Sequence, residues 1–275
     1  MHRFSQKNPM PKTPEVYSIF NGLDVNYKVI LGIFAGAILF QVGVLEFALN
    51  SSDVSSDISS NVLFLLELGI TVFAFYMAYR YNFSSIFGRS FLFFGIGFLA
   101  LVAGDILSEF DIIPDFVQIM PGAFIPAQSL SYFVLYGGLG AFLFINIHDL
   151  NAGFGKRNVL LMMPIVAVLL GLFYGITYAD YGTFDHVLHY CGISVLGTSI
   201  VAAMSAVGVK VLFRKTLGRA WHILMYGLLT FAVGDVVFHY YDTMSLYHDS
   251  HFTNVLMYSA YMLIIYAMYK NTKVF

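Results

Sequence analysis

The segment from Gly218 to Asp242, "GRAWHILMYGLLTFAVGDVVFHYYD", decides the fold class. It is almost entirely apolar, yet it contains Asp235 in its second half and ends with His239 and Asp242. A helix needs about 20 mostly apolar residues to cross a hydrocarbon core about 30 Å thick. A charged side chain in that core costs about 2.5 to 3.5 kcal/mol, so such residues normally face a bundle interior or a water-filled cavity. The segment therefore predicts a membrane-spanning helix with a special role for Asp235.

The composition of the whole chain supports a membrane protein. Of its 275 residues, 59% are hydrophobic and only 11% are charged, whereas soluble domains contain about 25% charged residues. No basic surface or nucleotide loop points to nucleic acid as a partner. The sequence predicts an all-α polytopic fold with eight transmembrane helices. The predicted spans are 28–49, 61–81, 89–110, 124–147, 158–179, 187–211, 219–241 and 252–270.

The distribution of lysine and arginine predicts the orientation. Basic residues occur in the first 28 residues, at alternate connections and at the tail, while the other connections carry only acids. Since cytoplasmic loops are enriched in Lys and Arg, we expect a multi-pass protein of the plasma membrane with both termini in the cytoplasm. Residues 1–27 are polar and contain three prolines, which is typical of a flexible cytoplasmic arm.

An internal duplication is the second prediction. The segment 88–111, "GRSFLFFGIGFLALVAGDILSEFD", aligns without gaps with 218–241, matching Gly-Arg starts and Gly-Asp pairs. The shift is 218 − 88 = 130 residues. We therefore expect two tandem four-helix repeats, 28–150 and 151–275, related by a pseudo-twofold axis along the membrane normal because each has an even number of spans.

The matched acids, Asp105 and Asp235, are the candidate catalytic residues. At 1.5 Å rise per residue each lies about 24 Å from the basic end of its helix, in the outer third of the bilayer. We expect both to line one polar pocket open to the outside. The alternative is that they only join helices by bonding tyrosine or serine hydroxyls. The candidate binding residues are Glu46, Glu67, Glu109, Tyr132 and Tyr240.

Histidines at the same end suggest a metal site. The candidate ligands are His186, His189 and His239. With one of the two acids they would give three nitrogens and an oxygen, an arrangement found at catalytic zinc sites. A metal-free pair of carboxylates is the alternative, because two acids in a low-dielectric pocket can act as general acid and base. The single cysteine, Cys191, is interpreted as a small apolar filler.

The sequence shows two resemblances, the first of which rests on the Gly-Asp pairs near the outer ends of the third and seventh spans. Gly104-Asp105 with "FIPAQSLSYFVLYGGLGAFL", and Gly234-Asp235 with "NVLMYSAYMLIIY", resemble the YhhN family, to which lysoplasmalogenases belong. That likeness implies a membrane hydrolase of vinyl-ether lysolipids in which Asp105 and Asp235 act on the lipid. The stretch 218–242 also resembles the multi-helix membrane sensor modules that precede bacterial diguanylate cyclase domains.

Three functions follow as hypotheses. The first is a lipid-acting hydrolase that uses the acid and histidine pocket, with zinc as its candidate cofactor and a membrane lipid as its partner. The second is a ligand-binding or sensory module that passes its state to a cytoplasmic protein through the basic loops. A small-solute transporter is the third, although the cytoplasmic halves of the spans offer few polar residues. A homo-oligomer is compatible with each of them.

Overall fold

The computed structural model describes residues 27–50, 52–110, 112, 116–120, 123–126, 128–150, 155–182, 186–212, 218–248 and 251–273. All of the predicted arm except Tyr27 lies outside these residues. Eight helices occur in the described part, and the expected all-α class holds for them. The helices are α1 (Tyr27–Asn50), α2 (Ser52–Arg80), α3 (Ile86–Glu109), α4 (Gln128–Leu150), α5 (Lys156–Tyr181), α6 (His186–Leu212), α7 (Gly218–Thr243) and α8 (Asn254–Thr272).

A β-hairpin between α3 and α4 departs from the expected all-helical chain. Strand β1 (Phe116–Met120) pairs antiparallel with β2 (Ala123–Pro126). The hairpin includes the start of the predicted fourth span, so α4 begins four residues later than expected. Helix α2 differs in the opposite direction, because it begins nine residues earlier, at Ser52. Its first turns read "SDVSSDISS". Because these residues are polar, a prediction based on apolar runs places the start of the helix too late.

Seven of the eight helices are long and apolar enough to cross a membrane, which is compatible with a multi-pass membrane protein. Helix α8 falls outside that set because tyrosines, Lys270 and Asn271 lower its hydropathy. It is nevertheless deeply enclosed, since Tyr258, Ala260 and Leu263 have no exposed surface. By contrast, only 6% of the apolar window of α5 is buried. Helix α5 therefore presents most of its surface to the surroundings of the protein.

The helices pack as two similar sets. Within the first four, each helix contacts the next, and the same is true of the last four. The two sets meet where α4 packs on α6 and where α8 packs on both α2 and α1. Side-chain hydrogen bonds join α2 to α8 along their length, and both helices run in the same direction. The donors and acceptors are Asn254 to Ser59 at 3.1 Å, Tyr261 to Glu67 at 2.9 Å, and Arg80 to the carbonyl of Thr272 at 2.7 Å.

Close backbone contacts and aromatic rings form the core. A Cβ atom added at Gly138 of α4 would lie 2.6 Å from the carbonyl oxygen of Phe93 in α3, so only glycine fits there. Trp221 of α7 stacks on Phe142 of α4, with ring centroids 5.8 Å apart and ring planes within 3°. These contacts hold α3, α4 and α7 together and fix the walls of the site described below.

Candidate functional site

A polar cavity of about 700 Å³ opens among α2, α3, α4 and α7. It lies at the end of the bundle where α2, α4 and α8 begin and α3 and α7 end. Among the described lining residues there is no lysine or arginine, so its charge is one-sided. The acids that line it are Asp57, Glu67, Asp105, Glu109 and Asp242. Such a cavity favours a cationic ligand, because a positive charge reduces the repulsion among the acids.

Two of these acids, Glu67 and Asp105, are in contact. Glu67 is 7% exposed and projects from α2 toward the carboxyl group of Asp105 in α3. The Oε1 atom of Glu67 also accepts a hydrogen bond of 2.9 Å from the hydroxyl of Tyr261. Two ionised carboxylates side by side in a buried place repel each other, so the pair favours a proton on one of its members. The pair thus combines a proton donor with a proton acceptor beside the cavity.

Asp235 lies in a separate, fully buried network. Its exposed surface is 0%, and its Oδ2 atom accepts a 2.7 Å hydrogen bond from the hydroxyl of Tyr136 in α4. The same hydroxyl lies 3.2 Å from Nε2 of His239, which follows Asp235 by one helical turn and therefore shares its face of α7. Tyr136 reaches this place because α6 has Gly197 opposite it: a Cβ atom there would lie 2.6 Å from the tyrosine ring.

The direction of these hydrogen bonds fixes the protons of His239. Since the hydroxyl of Tyr136 donates to Asp235, its oxygen can only accept from the ring, which places a hydrogen on Nε2. In a neutral imidazole the Nδ1 atom is then an acceptor. That atom is buried and has no hydrogen-bond partner among the described residues, and the same is true of Oδ1 of Asp235. Thr198 of α6 lies near this carboxylate but forms no well-aligned hydrogen bond with it.

Tyr132 separates the cavity from the buried network. Its side chain lines the cavity, and its ring centroid lies 6.3 Å from that of Tyr136 and 6.1 Å from that of His239. The expectation that both acids line one pocket therefore needs a correction. Asp105 lines the cavity, whereas Asp235 is fully buried and is not among the described lining residues.

The remaining sequence-predicted residues are dispersed. Glu109 is exposed at the cavity. Tyr240 lies outside the cavity lining and donates a 2.9 Å hydrogen bond to Asp180 at the end of α5. Glu46 belongs to α1, and His186 and His189 belong to the first turn of α6, but their side chains lie outside the described residues.

Two residues of the site, Tyr136 and Asp57, were not predicted from the sequence. Tyr136 follows Tyr132 by four residues, and this spacing, which puts both rings on one helix face, was the available signal. Asp57 was missed because it precedes the apolar part of α2.

One potential metal-binding group occurs among the described residues. It consists of Cys191, His239 and Asp242, whose ligand atoms all lie within 4.8 Å of one another. Of the expected zinc ligands, His239 is therefore close to two other potential ligands that the sequence did not suggest. Cys191 is 1% exposed and Asp242 is exposed.

The connection between α7 and α8 borders the cavity through Tyr247. His251, in the same connection, is 8% exposed, and its ring centroid lies 4.4 Å from that of Tyr241. Burial lowers the pKa of His251, and the neighbouring His248 lowers it further. The Nδ1 atom of His251 lies 3.0 Å from the hydroxyl of Thr253, and the backbone N–H of Thr253 donates to it. The folded connection therefore favours the neutral ring.

These features define a class of protein: a helical bundle with seven candidate membrane-spanning helices and an acidic cavity beside a buried tyrosine–histidine–carboxylate network. Comparisons with protein-family models, with curated proteins and with solved structures found no match.

Proposed function

We propose that all eight helices cross the plasma membrane, with both termini in the cytoplasm and the acidic cavity facing outward. The distribution of basic residues supports this orientation. The parallel contact of α2 with α8 supports the eighth span, because two parallel helices packed along their length cross the same layer. The low hydropathy of α8 is compatible with a span because other helices cover it.

The proposed duplication is supported by the packing. A shift of 130 residues converts α1 to α4 into α5 to α8, and it exchanges the α4–α6 contact with the α8–α2 contact. The matched glycines occupy similar places. A Cβ atom at Gly97 of α3 would lie 3.1 Å from the carbonyl oxygen of Leu135 in α4, and one at Gly227 of α7 would lie 3.2 Å from the backbone nitrogen of Ile264 in α8.

For the activity, we propose a lipid-acting hydrolase that binds the cationic headgroup of a membrane lipid in the acidic cavity. The observation that carries this proposal is the Glu67–Asp105 carboxyl pair in a cavity with five acidic residues, this pair included, and no lysine or arginine among its described lining residues. An ammonium headgroup would be attracted by the acids and by the tyrosine ring faces. The apolar outer surface of the bundle would keep the acyl chain in the membrane.

The carboxyl pair has the chemistry that hydrolysis requires. The protonated member donates a proton to the substrate, and the ionised member accepts one from the attacking water. For a vinyl ether, which the resemblance to the YhhN family suggests, protonation of the vinyl carbon creates an oxocarbenium ion. Water adds to it, and the resulting hemiacetal separates into an aldehyde and an alcohol. In this proposal Glu67 and Asp105 are the catalytic pair, whereas Asp235 positions Tyr136 and His239.

The test uses the purified chain in lipid nanodiscs with lysolipids that differ in one feature at a time. The linkage is a vinyl ether or an ester, and the headgroup is choline, ethanolamine or uncharged glycerol. We expect aldehyde release from the vinyl ether with a cationic headgroup. Glu67→Gln and Asp105→Asn should each reduce turnover by about 100-fold or more, the usual contribution of a general acid or base.

Asp180→Asn is the matched control, because this carboxylate bonds Tyr240 away from the cavity and its loss should leave turnover unchanged. Turnover that survives both Glu67→Gln and Asp105→Asn would refute the assignment of the pair.

A ligand-binding or sensory module is the second candidate. The observation that favours it is the position of Tyr132, which contacts the cavity on one side and the ring of His239 on the other. A ligand that moves this ring would act on the contact between α4 and α7, and a cytoplasmic protein could read the change at the basic loops. Saturable binding of a cationic lysolipid without product would favour this function over the hydrolase.

A further inference from the structure

We propose that Cys191, His239 and Asp242 form a binding site for a divalent transition metal of the zinc class at the edge of the acidic cavity. The proposal does not depend on hydrolysis, because it rests on the geometry of α6 and α7 alone. The three ligand atoms lie within 4.8 Å of one another.

The packing of α6 against α7 explains why these side chains meet. The two helices are consecutive and antiparallel, so moving along one corresponds to moving backward along the other. Thr198 of α6 lies opposite Asp235 of α7. Two helical turns from that contact, seven residues earlier on α6 and seven later on α7, are Cys191 and Asp242. His239 lies between Asp235 and Asp242 on the same face of α7, because positions i, i+4 and i+7 align on a helix.

The donor set matches zinc. Thiolate, imidazole and carboxylate are its usual ligands, at about 2.3, 2.0 and 2.1 Å respectively, so neighbouring ligand atoms of a tetrahedral site are about 3.5 Å apart. The observed limit of 4.8 Å therefore requires the side chains to close by about 1 Å. A thiolate favours zinc and similar soft or borderline metals over magnesium and calcium, which prefer oxygen ligands.

The buried network of Tyr136, His239 and Asp235 would orient the histidine ligand of such a site. Metal-binding histidines almost always donate their second ring hydrogen to a carboxylate, carbonyl or water, which fixes the tautomer. Here Nε2 of His239 donates to the hydroxyl of Tyr136, which in turn donates to Asp235. The remaining Nδ1 atom is buried and has no hydrogen-bond partner among the described residues. A metal ion would satisfy this atom.

The position of Asp242 suggests where the fourth ligand would come from. Three protein ligands leave one tetrahedral position for water or a ligand, and Asp242 lines the acidic cavity. This assignment replaces the interpretation of Cys191 as a mere apolar filler, although its contacts with Phe173 and Val195 do give it an apolar side.

Cobalt provides the decisive experiment, because Cys191 is the only cysteine of the chain. The reduced, metal-free protein in nanodiscs is titrated with Co²⁺ and followed by absorption. We expect one ion per chain, a thiolate-to-cobalt charge-transfer band in the near ultraviolet, and displacement of the ion by Zn²⁺. Any such band must come from Cys191. Cys191→Ser should remove the band, and Cys191→Ser and His239→Gln should each weaken binding by about 10-fold or more.

The matched control is His148→Gln, since His148 is exposed near the other end of the bundle and pairs with Asp149. It should bind Co²⁺ like the native chain. Melting of the metal-free variants, followed by the fluorescence of Trp221, identifies any variant that fails to fold, and Cys191→Ala provides a second test of the thiol with little change of polarity. No lipid substrate is present, so failure here is distinct from failure of the hydrolase.

Two results would overturn the proposal. One is the absence of stoichiometric Co²⁺ binding to the native, folded chain. The other is Co²⁺ binding that produces no thiolate band. Such binding would be retained in Cys191→Ser and lost in His186→Ala or His189→Ala. That result would assign the metal to the histidine set expected from the sequence.

Discussion

Replacing Tyr136 by phenylalanine tests the buried network most directly. The change removes only the hydroxyl that donates to Asp235 at 2.7 Å and lies 3.2 Å from His239. Because Oδ1 of Asp235 already has no hydrogen-bond partner among the described residues, the variant would leave both carboxylate oxygens without a well-formed bond. The ring of Tyr136 and its contact with Gly197 would remain.

The expected loss of unfolding free energy can be bounded by two general values. A hydrogen bond between helices in a membrane contributes about 0.6 kcal/mol on average and about 1.7 kcal/mol at most. A buried polar group left unsatisfied costs about 1 to 3 kcal/mol, and more if it is charged. Since Asp235 is 0% exposed and cannot turn to water, the second limit applies. We expect the free energy of unfolding to fall by about 2 kcal/mol, which lowers the melting temperature by about 4 to 8 °C.

The assay is thermal unfolding in detergent, followed by the fluorescence of Trp221. This is the only tryptophan of the chain, and it is buried between rings of α3 and α4. The control is Tyr226→Phe, because the hydroxyl of Tyr226 makes no hydrogen bond within the part of the chain that the structure describes. Combining Tyr136→Phe with Asp235→Leu should recover at least about 1 kcal/mol relative to additivity. A loss below about 0.5 kcal/mol, or strict additivity, would refute the reasoning.

Three further predictions concern pH, packing and orientation. Because the pKa of His251 is lowered in the folded chain from its ordinary value of 6.5, protonation favours the unfolded state. Stability should fall as the pH drops below about 6.5, and His251→Asn should reduce the loss of melting temperature between about pH 7.5 and about pH 5; equal losses in both chains would contradict this. Gly138→Ala should destabilise by about 1 to 3 kcal/mol through overpacking, whereas Gly137→Ala, where a Cβ atom meets nothing within 4 Å, should be neutral or stabilising; equal effects would refute the packing argument. A reporter fused after Phe275 should be active only in the cytoplasm and one inserted at Gly182 only outside, and the reverse result would invert the topology.

The helices could be predicted from sequence because hydropathy and length are local properties, and the depth of Asp105 and Asp235 followed from helical rise. Their surroundings could not be predicted in the same way. Depth along one helix does not reveal which side chain of another helix stands opposite. Asp105 meets a second acid, Glu67, whereas Asp235 meets Tyr136, which lies 99 residues away in the chain. Two acids at aligned positions of similar sequence segments therefore have different environments.

The candidate metal ligands show the same limit. The spacing of His186 and His189 suggested a site because it places both on one face of a helix. The proximity of Cys191 to His239 depends on the antiparallel register of α6 and α7, which no single helix encodes. The early start of α2, with Asp57 in the cavity, was hidden because polar residues form its first turns.

The hydrogen bond between Tyr261 and Glu67 also has a consequence for biosynthesis. The two residues are separated by 194 positions, and at a synthesis rate of about 5 to 20 residues per second the tyrosine follows the glutamate by about 10 to 40 s. During that interval α2 is made while its partner helix is not. Until then, the carboxyl group of Glu67 must interact with water, with Asp105 of α3, which is made before α8, or with the insertion machinery. Helix α8 thus supplies the hydrogen-bond donor of Glu67, and a chain that stalls before α8 leaves this acid without that donor, a state that quality control can recognise.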